Sequence, residues 1–370
     1  MTTFTANDYE FMSRAIRLAN KGLYTTHPNP RVGCVISKDN HIVGEGWHQI
    51  AGQAHAEVNA LLQAGTNATG ATVYVTLEPC CHTGKTPPCT DSLIKAGVSR
   101  VIAAMQDPHD KVAGRGFKQL TDAGINVDVG LLEEQARQLN PGFIKRMQRG
   151  LPLLRVKMAM SLDGRTAMAS GESKWITSEA SRHDVQHWRA QSAAILTGIG
   201  TILADDPSLT VRFDDNAVKQ QHYQHPLCVI LDSKLRLPTT AKVIQQQDDI
   251  LLFTASSDNS KIAELEALGV TIQQIEKTDA GLDLDAVLKY LASIEINEVM
   301  LEAGAELAGG FIAAGLVDEL LIYMAPVLMG NQAKGLANLP FIDKMKQKIP
   351  VSIKEMRQFG EDTRIIATLN

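Results

Sequence analysis

The sequence predicts an α/β protein made of two domains. In both halves of the chain, short apolar runs that indicate strands alternate with helical patterns, which is typical of layered α/β structure. At 370 residues, the chain is about twice the usual length of one domain. A helical pattern that ends at Gly150 is followed by Leu151 and Pro152, and proline stops a helix. We therefore place the domain boundary there, which gives predicted domains over 1–150 and 151–370.

The first half is expected to begin with a helix and a hairpin. Asn7 and Glu10 have the spacing of a capping box, and apolar residues follow them at helical intervals. Polar residues 38–40 separate two apolar runs, 32–36 and 42–46, which predicts a β-hairpin. The alternation then continues, with helices expected over 55–63, 90–96, 117–123 and 131–148, and strands over 72–77, 100–105 and 125–129.

The second half alternates in the same way, although its sequence does not resemble that of the first. Its predicted strands span 153–160, 194–197, 227–231, 250–253, 270–275, 299–302 and 319–324. Its predicted helices span 179–191, 261–268, 284–293 and 307–314. Residues 214–225 are polar and rich in Gln and His, so we expect a surface excursion there.

Composition and charge narrow the classes of function. The chain is 44% apolar and 21% charged, a globular composition that argues against wholesale disorder. Its 36 Lys and Arg stand against 41 Asp and Glu, and the net charge of −5 argues against a nucleic-acid partner. No apolar run reaches the roughly 18 residues that a membrane span needs, and residues 1–10 lack the features of a signal peptide. We expect no membrane partner.

The five cysteines indicate a reduced compartment. Cys80, Cys81 and Cys89 are clustered, whereas Cys34 and Cys228 lie in separate apolar runs. An odd number of cysteines in a long chain argues against a disulfide framework. We therefore expect a cytoplasmic protein whose cysteine cluster binds a metal or takes part in catalysis.

His55, Cys80 and Cys89 form a candidate zinc site. One imidazole and two thiolates suit zinc, and three protein ligands leave a fourth position for water. Such a water ionises near neutral pH and can attack an electrophilic ring carbon. Glu57, two residues after His55, could take the proton from the water and deliver it to departing ammonia. The pattern H-x-E followed by P-C is typical of zinc deaminases.

The cysteine spacing departs from the general deaminase signature, because eight residues rather than two separate Cys80 from Cys89. Two alternatives therefore stay open: a structural zinc site closed by His82 or Cys81, and a pair of buried thiols without a metal. A structural site has no need of Glu57 and commonly uses closely spaced cysteine pairs, so the residues favour catalysis.

Several longer stretches carry a resemblance to a known family. In the first half these are THPNPRVGCVI (26–36), HAEV (55–58) and TLEPCCHTGKTPPC (76–89). They resemble the bifunctional deaminase/reductase of bacterial riboflavin biosynthesis, for which the long loop between the two cysteines is specific. In the second half, SLDGRTA (161–167), WIT (175–177), GTILADDP (200–207) and GLVDE (315–319) are similar to the reductase domain of the same family.

The resemblance implies a fold and two activities. The fold is an N-terminal cytidine-deaminase-like three-layer domain followed by a C-terminal dihydrofolate-reductase-like α/β domain. The first activity is zinc-dependent hydrolytic deamination of 2,5-diamino-6-ribosylamino-4(3H)-pyrimidinone 5′-phosphate. The second is NADPH-dependent reduction of the ribosyl group of 5-amino-6-(5-phosphoribosylamino)uracil to ribityl. The implied cofactors are Zn²⁺ and NADPH, the partners are small pyrimidine ribosyl phosphates, and the implied assembly is a homodimer or homotetramer.

The resemblance also implies individual site residues. In the first half it implies zinc on His55, Cys80 and Cys89, with Glu57 as the proton shuttle. The substrate contacts that it implies there are Asn29, His48, His82, Lys85 and Asp107. In the second half, the implied cofactor contacts are Ala159, Trp175, Thr201, Asp205, Ser233, Gly304, Ala305, Glu306, Leu307, Ala308, Gly309 and Gly310. The implied reductase substrate contacts are Lys157, Ser173, Arg189, Leu209, Arg212 and Glu302.

Several of these residues also have an ordinary structural explanation. His48 could be a packed histidine, and Asp107 before Pro108 could start a turn. Arg189 and Arg212 suit a phosphate, which guanidinium groups bind with two hydrogen bonds, but their spacing alone favours surface arginines on a helix and on a polar loop. No G-x-G-x-x-G follows the first strand of this half, so the sequence does not support a Rossmann fingerprint.

Two other classes of function stay open from the sequence. A nucleic-acid deaminase fused to a partner domain would use the same zinc chemistry on a flipped base, although the chain has no basic stripe with interleaved aromatic residues. A nucleotide sensor would keep zinc for structure alone. Ammonia release that depends on Glu57 distinguishes an enzyme from a sensor.

Overall fold

The computed structural model describes residues 3–84, 87–110, 112–212, 225–279 and 281–369. The chain divides into two compact units, one that ends at Gly150 and one that starts at Leu151. Gly150 has a left-handed backbone (φ +65°), which suits glycine and ends the last helix of the first unit. Among the described residues, none of the helices combines the length and the apolar character needed to cross a bilayer.

The first unit is built on a sheet of five strands. They are β1 (Gly33–Lys38), β2 (His41–Trp47), β3 (Thr72–Val75), β4 (Arg100–Ala103) and β5 (Asn126–Val129). Their order in the sheet is β2-β1-β3-β4-β5. The predicted hairpin of β1 and β2 is present, β1 also pairs antiparallel with β3, and β3, β4 and β5 run parallel. The carboxyl ends of β3 and β4 therefore meet at the same edge of the sheet.

Helices cover both faces of this sheet. They are α1 (Ala6–Ala19), α2 (Ala56–Ala64), α3 (Cys89–Ala96), α4 (Arg115–Asp122), α5 (Glu133–Leu139) and α6 (Pro141–Arg149). Successive strand residues point to opposite faces. Cys34 and Ile36 of β1 accordingly lie in the apolar cluster with α2, α3 and α4, whereas Val35 lies in the cluster with α1, α5 and α6. The unit therefore has three layers.

Two details of the first unit differ from the sequence prediction. The capping box of α1 is formed by Thr5 and Asp8, each of which accepts a hydrogen bond from the other's backbone N–H (3.2 and 2.8 Å). The prediction of Asn7 and Glu10 was wrong, because the same spacing occurs two residues upstream. The single helix predicted over 131–148 is two helices, since Pro141 has no N–H to continue the first and instead begins the second.

Two glycines let α2 lie directly on β2. A Cβ at Gly44 would overlap the carbonyl oxygen of Ala60, and a Cβ at Gly46 would overlap that of Ala56. No other residue type permits so close an approach. This contact fixes the first turn of α2, which begins after His55 and carries Glu57.

The second unit is built on a sheet of nine strands with two small accessory sheets. Its strands are β6 (Leu153–Ser161), β7 (Arg165–Ala167), β8 (Ala194–Gly198), β9 (Leu227–Leu231), β10 (Ile250–Thr254), β11 (Val270–Gln274), β12 (Lys277–Thr278), β13 (Gly281–Leu282), β14 (Glu298–Glu302), β15 (Glu319–Ala325), β16 (Lys334–Gly335), β17 (Val351–Phe359) and β18 (Asp362–Leu369). Its helices are α7 (Glu179–Gln191), α8 (Ile199–Asp205), α9 (Lys242–Gln246), α10 (Asn259–Glu266), α11 (Leu284–Ser293) and α12 (Ala305–Ala313).

The large sheet has the order β11-β10-β9-β8-β14-β6-β15-β18-β17. The seven strands from β11 to β15 run parallel, and β18 and β17 continue the sheet antiparallel. The predicted strands and helices of this half are all present within a few residues of their predicted ends. The excursion predicted over 214–225 lies outside the described residues except for His225.

The sequence analysis missed the antiparallel hairpin of β17 and β18. Most side chains of β17 are exposed on both faces, so the strand has neither the apolar run nor the regular alternation that predicts one. The hairpin is anchored through Asp362, whose Oδ2 accepts hydrogen bonds from Ser178 N (2.7 Å), Ser178 Oγ (2.7 Å) and Ser181 Oγ (2.6 Å). Asp362 therefore ties the end of the chain to the start of α7.

Replacing Gly46 by Ala should destabilise the first unit. The new Cβ would overlap Ala56 O and force α2 away from β2, which at an overpacked position costs about 1–3 kcal/mol of unfolding free energy. Urea unfolding of the full chain, followed by circular dichroism, measures the change. Gly84→Ala is the matched control, because a Cβ at Gly84 meets no atom within 4 Å. Equal unfolding midpoints for the two variants would contradict the contact.

Candidate active sites

Three side chains from separate elements of the first unit converge at one point. His55 precedes α2, Cys80 lies in the loop after β3, and Cys89 is the first residue of α3. His55 Nδ1 lies 3.5 Å from Cys80 Sγ and 3.3 Å from Cys89 Sγ. The three ligand atoms all lie within 4.8 Å of one another. The structure thus brings together the imidazole and the two thiols that the sequence analysis selected.

The geometry fits a tetrahedral metal ion. With Zn–N near 2.0 Å and Zn–S near 2.3 Å, ligand atoms of a tetrahedral site lie about 3.5 Å apart, close to the two separations found here. Cys81 and His82, the alternatives for a fourth protein ligand, do not join this group in the described part of the chain. The donor set is therefore that of a site with three protein ligands.

The electrostatics of the thiol pair favour a thiolate at Cys80. The thiol of Cys89, the backbone N–H of Cys89 (3.4 Å) and the imidazole of His55 all face Cys80 Sγ, and together they lower the pKa of Cys80 to about 4. The hydrogen bond between the two thiols, together with burial, raises the pKa of Cys89 above its usual value. α3 begins at Cys89, so the N–H that faces Cys80 Sγ belongs to a helix N-terminus, whose dipole favours a thiolate.

Glu57 is buried beside these side chains. Only 3% of the residue is exposed, and burial, together with the negative charge of Cys80, raises the pKa of Glu57 to about 7. A carboxyl group with this pKa gains and loses a proton readily near neutral pH.

Three of the implied substrate contacts of the first unit, Asn29, His48 and Asp107, are buried or half-buried near this group. Asn29 Nδ2 lies 3.0 Å from His48 Nε2, and the His48 ring packs edge-on against His55 with centroids 5.2 Å apart. His48 is thus a buried histidine that also borders the metal group. Asp107 is buried, which raises its pKa to about 7, and its Oδ1 accepts the backbone N–H of His109 (2.8 Å). It therefore does start a turn, as the alternative explanation expected.

His82 and Lys85 belong to the loop between the two cysteines. His82 is exposed, and its ring lies nearly parallel to that of His109, with 19° between the planes and 6.4 Å between the centroids. Lys85 lies outside the described residues.

The sequence analysis did not single out Glu78, although it lies within the TLEPCC stretch. Its buried carboxylate accepts backbone hydrogen bonds from Asp107, Gly114, Gly116 and Phe117. In the sequence, only its position two residues before Cys80 indicated a role for Glu78.

A second polar cluster lies in the second unit, where Lys157 of β6 and Glu302 of β14 are partners in the strand register. Arg189 of α7 donates two hydrogen bonds to Glu302, from Nε (2.6 Å) and Nη2 (2.9 Å), and a third to Thr210 O (2.9 Å). Burial raises the pKa of Glu302, but the charge and hydrogen bonds of Arg189 outweigh it and lower that pKa overall. Arg189 is therefore not the solvated surface arginine that its spacing alone suggested.

The implied cofactor contacts lie near the carboxyl ends of four neighbouring parallel strands. Ala159 lies in β6, Thr201 follows β8, Ser233 follows β9 and Gly304 follows β14. Gly304 is exposed and caps α12 without a side-chain hydrogen bond, which leaves the first N–H groups of the helix available to an anion.

Other implied residues of this unit differ in how accessible they are. Ser173 is half-buried, whereas Leu209 and Ala308 are 3% and 0% exposed and pack in the apolar core, which leaves mainly their backbone atoms for a ligand. The Cα of Gly309 lies against Asn338 O, where a Cβ would overlap.

The remaining implied side chains are exposed or half-buried. The Trp175 ring is exposed under the guanidinium of Arg182 at 4.5 Å, and Asp205 pairs with Lys174 at 3.5 Å. Arg212 is exposed and donates to Ser208 Oγ (3.2 Å). Among the described residues, no hydrogen bond connects these side chains with the side chains of Arg189 or Glu302.

Two protein-family models match the chain. Residues 5–105 match the cytidine and deoxycytidylate deaminase zinc-binding region, and residues 152–365 match the RibD C-terminal domain. The second match alone covers more than half of the 370 residues. The chain belongs to the RibD family.

Relatives along the whole chain agree with the RibD family. The riboflavin biosynthesis protein RibD of Escherichia coli is 49% identical over 361 residues, which cover 96% of this chain and 97% of that protein. RibD of Haemophilus influenzae is 49% identical and covers 100% of this chain and 99% of its own length.

Solved structures of RibD proteins have the same fold. Acinetobacter baumannii RibD superposes with a TM-score of 0.92 at 46% identity, over 98% of this chain and 99% of that one. A diaminohydroxyphosphoribosylaminopyrimidine deaminase/5-amino-6-(5-phosphoribosylamino)uracil reductase from Thermotoga maritima gives a TM-score of 0.85 at 30% identity, with the same coverage.

Membership of the RibD family confirms the main expectations drawn from the resemblance. The fold class is a cytidine-deaminase-like domain joined to a dihydrofolate-reductase-like domain. The protein is a bifunctional deaminase and reductase of riboflavin biosynthesis, it acts on small molecules, and its cofactors are zinc and NADPH. The nucleic-acid deaminase and the sensor are therefore set aside.

Proposed function

We propose that the unit ending at Gly150 is the deaminase, with 2,5-diamino-6-ribosylamino-4(3H)-pyrimidinone 5′-phosphate as its substrate. We further propose that the unit starting at Leu151 reduces the ribosyl group of 5-amino-6-(5-phosphoribosylamino)uracil to ribityl. The Thermotoga maritima relative is named for this pair of reactions. The observation that carries the proposal for this chain is the convergence of His55, Cys80 and Cys89 beside the buried Glu57.

In this proposal, His55, Cys80 and Cys89 hold the zinc ion. Bound zinc supplies a water molecule that ionises near neutral pH. The buried carboxylate of Glu57 would accept a proton beside the three ligand residues. Glu57 then gives the proton to the 2-amino nitrogen as its bond to C2 breaks, so that ammonia leaves. Its pKa of about 7 suits both steps.

Five residues around the metal group bind the pyrimidine in this proposal. The amide of Asn29 offers a donor and an acceptor to the ring edge, and its contact with His48 fixes its orientation (3.0 Å). Asp107 contributes a second polar group from the loop after β4. His82 and Lys85 contact the substrate from the cysteine loop, where the positive charge of Lys85 suits the phosphate.

In the reductase unit we propose that Lys157, Arg189 and Glu302 face the ribosyl phosphate, together with Ser173, Leu209 and Arg212. NADPH supplies the hydride when bound. The uncapped start of α12 at Gly304 supports pyrophosphate binding there, because free N–H groups at a helix start attract anions. The cofactor contacts would be completed by Ala159, Trp175, Thr201, Asp205, Ser233 and residues 305–310.

We also propose a cytoplasmic homo-oligomer, a dimer or a tetramer. All five cysteines are free thiols, which fits a reduced compartment. An uncovered apolar face supports self-association: Ile353 and Met356 of β17 are 57% and 59% exposed, next to Val351 (48%). These side chains share a face with Ala367 of β18, which packs in the core, so the apolar face extends outward from it.

Glu57→Gln should abolish most ammonia release while zinc stays bound. The amide cannot carry the proton, and loss of a general acid/base typically lowers kcat by about 10²–10⁴-fold. Ammonia release and zinc content are measured on the same purified protein. The exposed Glu134→Gln is the control and should keep full activity. Unchanged ammonia release by zinc-loaded Glu57→Gln would contradict the role of Glu57.

Arg189→Lys should weaken binding of the reductase substrate. Lysine keeps the charge but cannot make the two parallel hydrogen bonds to Glu302, so we expect KM for the deaminated substrate to rise about tenfold. NADPH oxidation measures the effect, and KM for NADPH should change little. Arg17→Lys, on an exposed face of α1, is the control. A KM equal to that of the wild type would count against this contact.

A double change of Ile353→Lys and Met356→Lys should reduce the oligomer mass. Two charges on the apolar face of β17 would oppose its burial against a second copy. Sedimentation velocity of the full chain gives the mass, and Leu62→Lys, at a still more exposed apolar position of the first unit, is the control. A monomeric wild type, or a variant of unchanged mass, would refute the proposed face.

A further inference from the structure

Glu78 binds a segment of backbone that follows the next strand of the sheet. Its Oε2 accepts the N–H groups of Asp107 (3.2 Å) and Gly114 (2.9 Å). Its Oε1 accepts those of Gly116 (2.9 Å) and Phe117 (3.3 Å). Only 3% of Glu78 is exposed. One buried carboxylate thus fixes both ends of the loop between β4 and the first turn of α4.

These hydrogen bonds determine where the segment lies. A buried carboxylate is costly unless hydrogen bonds replace its water, and bonds to a charged acceptor are stronger than neutral ones. The four donors are backbone groups, so Glu78 fixes the path of the main chain rather than the rotamer of another side chain.

The same contacts hold the segment against the loop that carries Cys80. The N–H of Glu78 donates to Met105 O (3.0 Å), at the end of β4. A Cβ at Gly116 would overlap Pro79 O, so α4 begins in direct contact with the residue before Cys80. The segment and the Cys80 loop therefore keep a fixed spacing.

The segment carries Asp107 and His109, which are connected with the proposed substrate contacts of the first unit. Asp107 is the first residue bound by Glu78 and is itself a proposed substrate contact. The next residue but one, His109, donates its N–H to Asp107 Oδ1 and presents its ring parallel to that of His82, another proposed contact. Displacing the segment would therefore move Asp107 and also His109, the ring that lies beside His82.

We propose that Glu78 is a positioning residue of the deaminase, which sets the distance of Asp107 and His109 from the Cys80 loop through four backbone hydrogen bonds. The inference rests on the proposed deaminase function. Glu78 acts on substrate binding through this segment and does not itself touch the substrate. A role in stability alone would lower the amount of folded protein without altering KM in what remains.

The test compares Glu78→Gln with the wild type and with the exposed Glu134→Gln. The amide keeps one acceptor but turns an NH₂ toward backbone donors, so we expect faster hydrogen–deuterium exchange over 107–117 and unchanged exchange in β3. KM for ammonia release should rise about tenfold with kcat within about threefold, at full zinc content and full reductase activity. Glu78→Asp, which restores the charge, should recover part of the loss in KM.

A double-mutant cycle separates the proposal from a general loss of structure. Asp107→Asn alone should raise KM, and it should add little to KM in the Glu78→Gln background, because Asp107 is already displaced there. Fully additive effects, an unchanged KM, or loss of zinc from Glu78→Gln would each overturn the proposal. If the wild type itself released no ammonia, the deaminase function would fail instead.

A second variant covers the case in which Glu78→Gln does not fold. Gly116→Ala leaves Glu78 intact but pushes the start of α4 away from Pro79 O. We expect the same increase in KM and the same local exchange over 107–117. A folded Gly116→Ala protein with wild-type KM and faster exchange there would also overturn the proposal.

Discussion

Parallel strands end at one edge of their sheet, and both proposed sites depend on this constraint. In the first unit, β3 leads to the Cys80 loop and β4 leads to Asp107, while the two glycines of β2 hold the first turn of α2 beside them. In the second unit, β6, β14, β8 and β9 end side by side, and the implied cofactor contacts follow them. Residues distant in sequence meet because the sheet aligns the strand ends.

Two buried glutamates of the first unit have different roles because their surroundings differ. Glu57 lies beside a thiolate in a buried position, and its pKa of about 7 suits a group that exchanges protons. Glu78 accepts hydrogen bonds from four backbone N–H groups and so holds a loop in place. Glu57 lies beside the metal ligands, whereas Glu78 contacts the first turn of α4.

The sequence was most informative where periodicity and chemistry coincide. Most of the parallel strands are apolar and buried, and His55, Glu57, Cys80 and Cys89 carry a spacing for which the residues favour zinc-dependent catalysis. It was least informative about features that tertiary contacts determine. β17 is an edge strand with exposed side chains, and the break at Pro141 lay inside a good helical pattern. The four donors of Glu78 come from residues 29 to 39 positions further along the chain. The spacing of residue types along the sequence does not reveal hydrogen bonds to backbone N–H groups.

The last strand, β18, is joined to α7 by the hydrogen bonds of Asp362. Asp362 holds Ser178 and Ser181 at the start of α7, the helix whose far end carries Arg189. β18 is thus linked through α7 to the Arg189–Glu302 pair. A substitution of Asp362 would release the start of α7 and, through this helix, alter the position of Arg189.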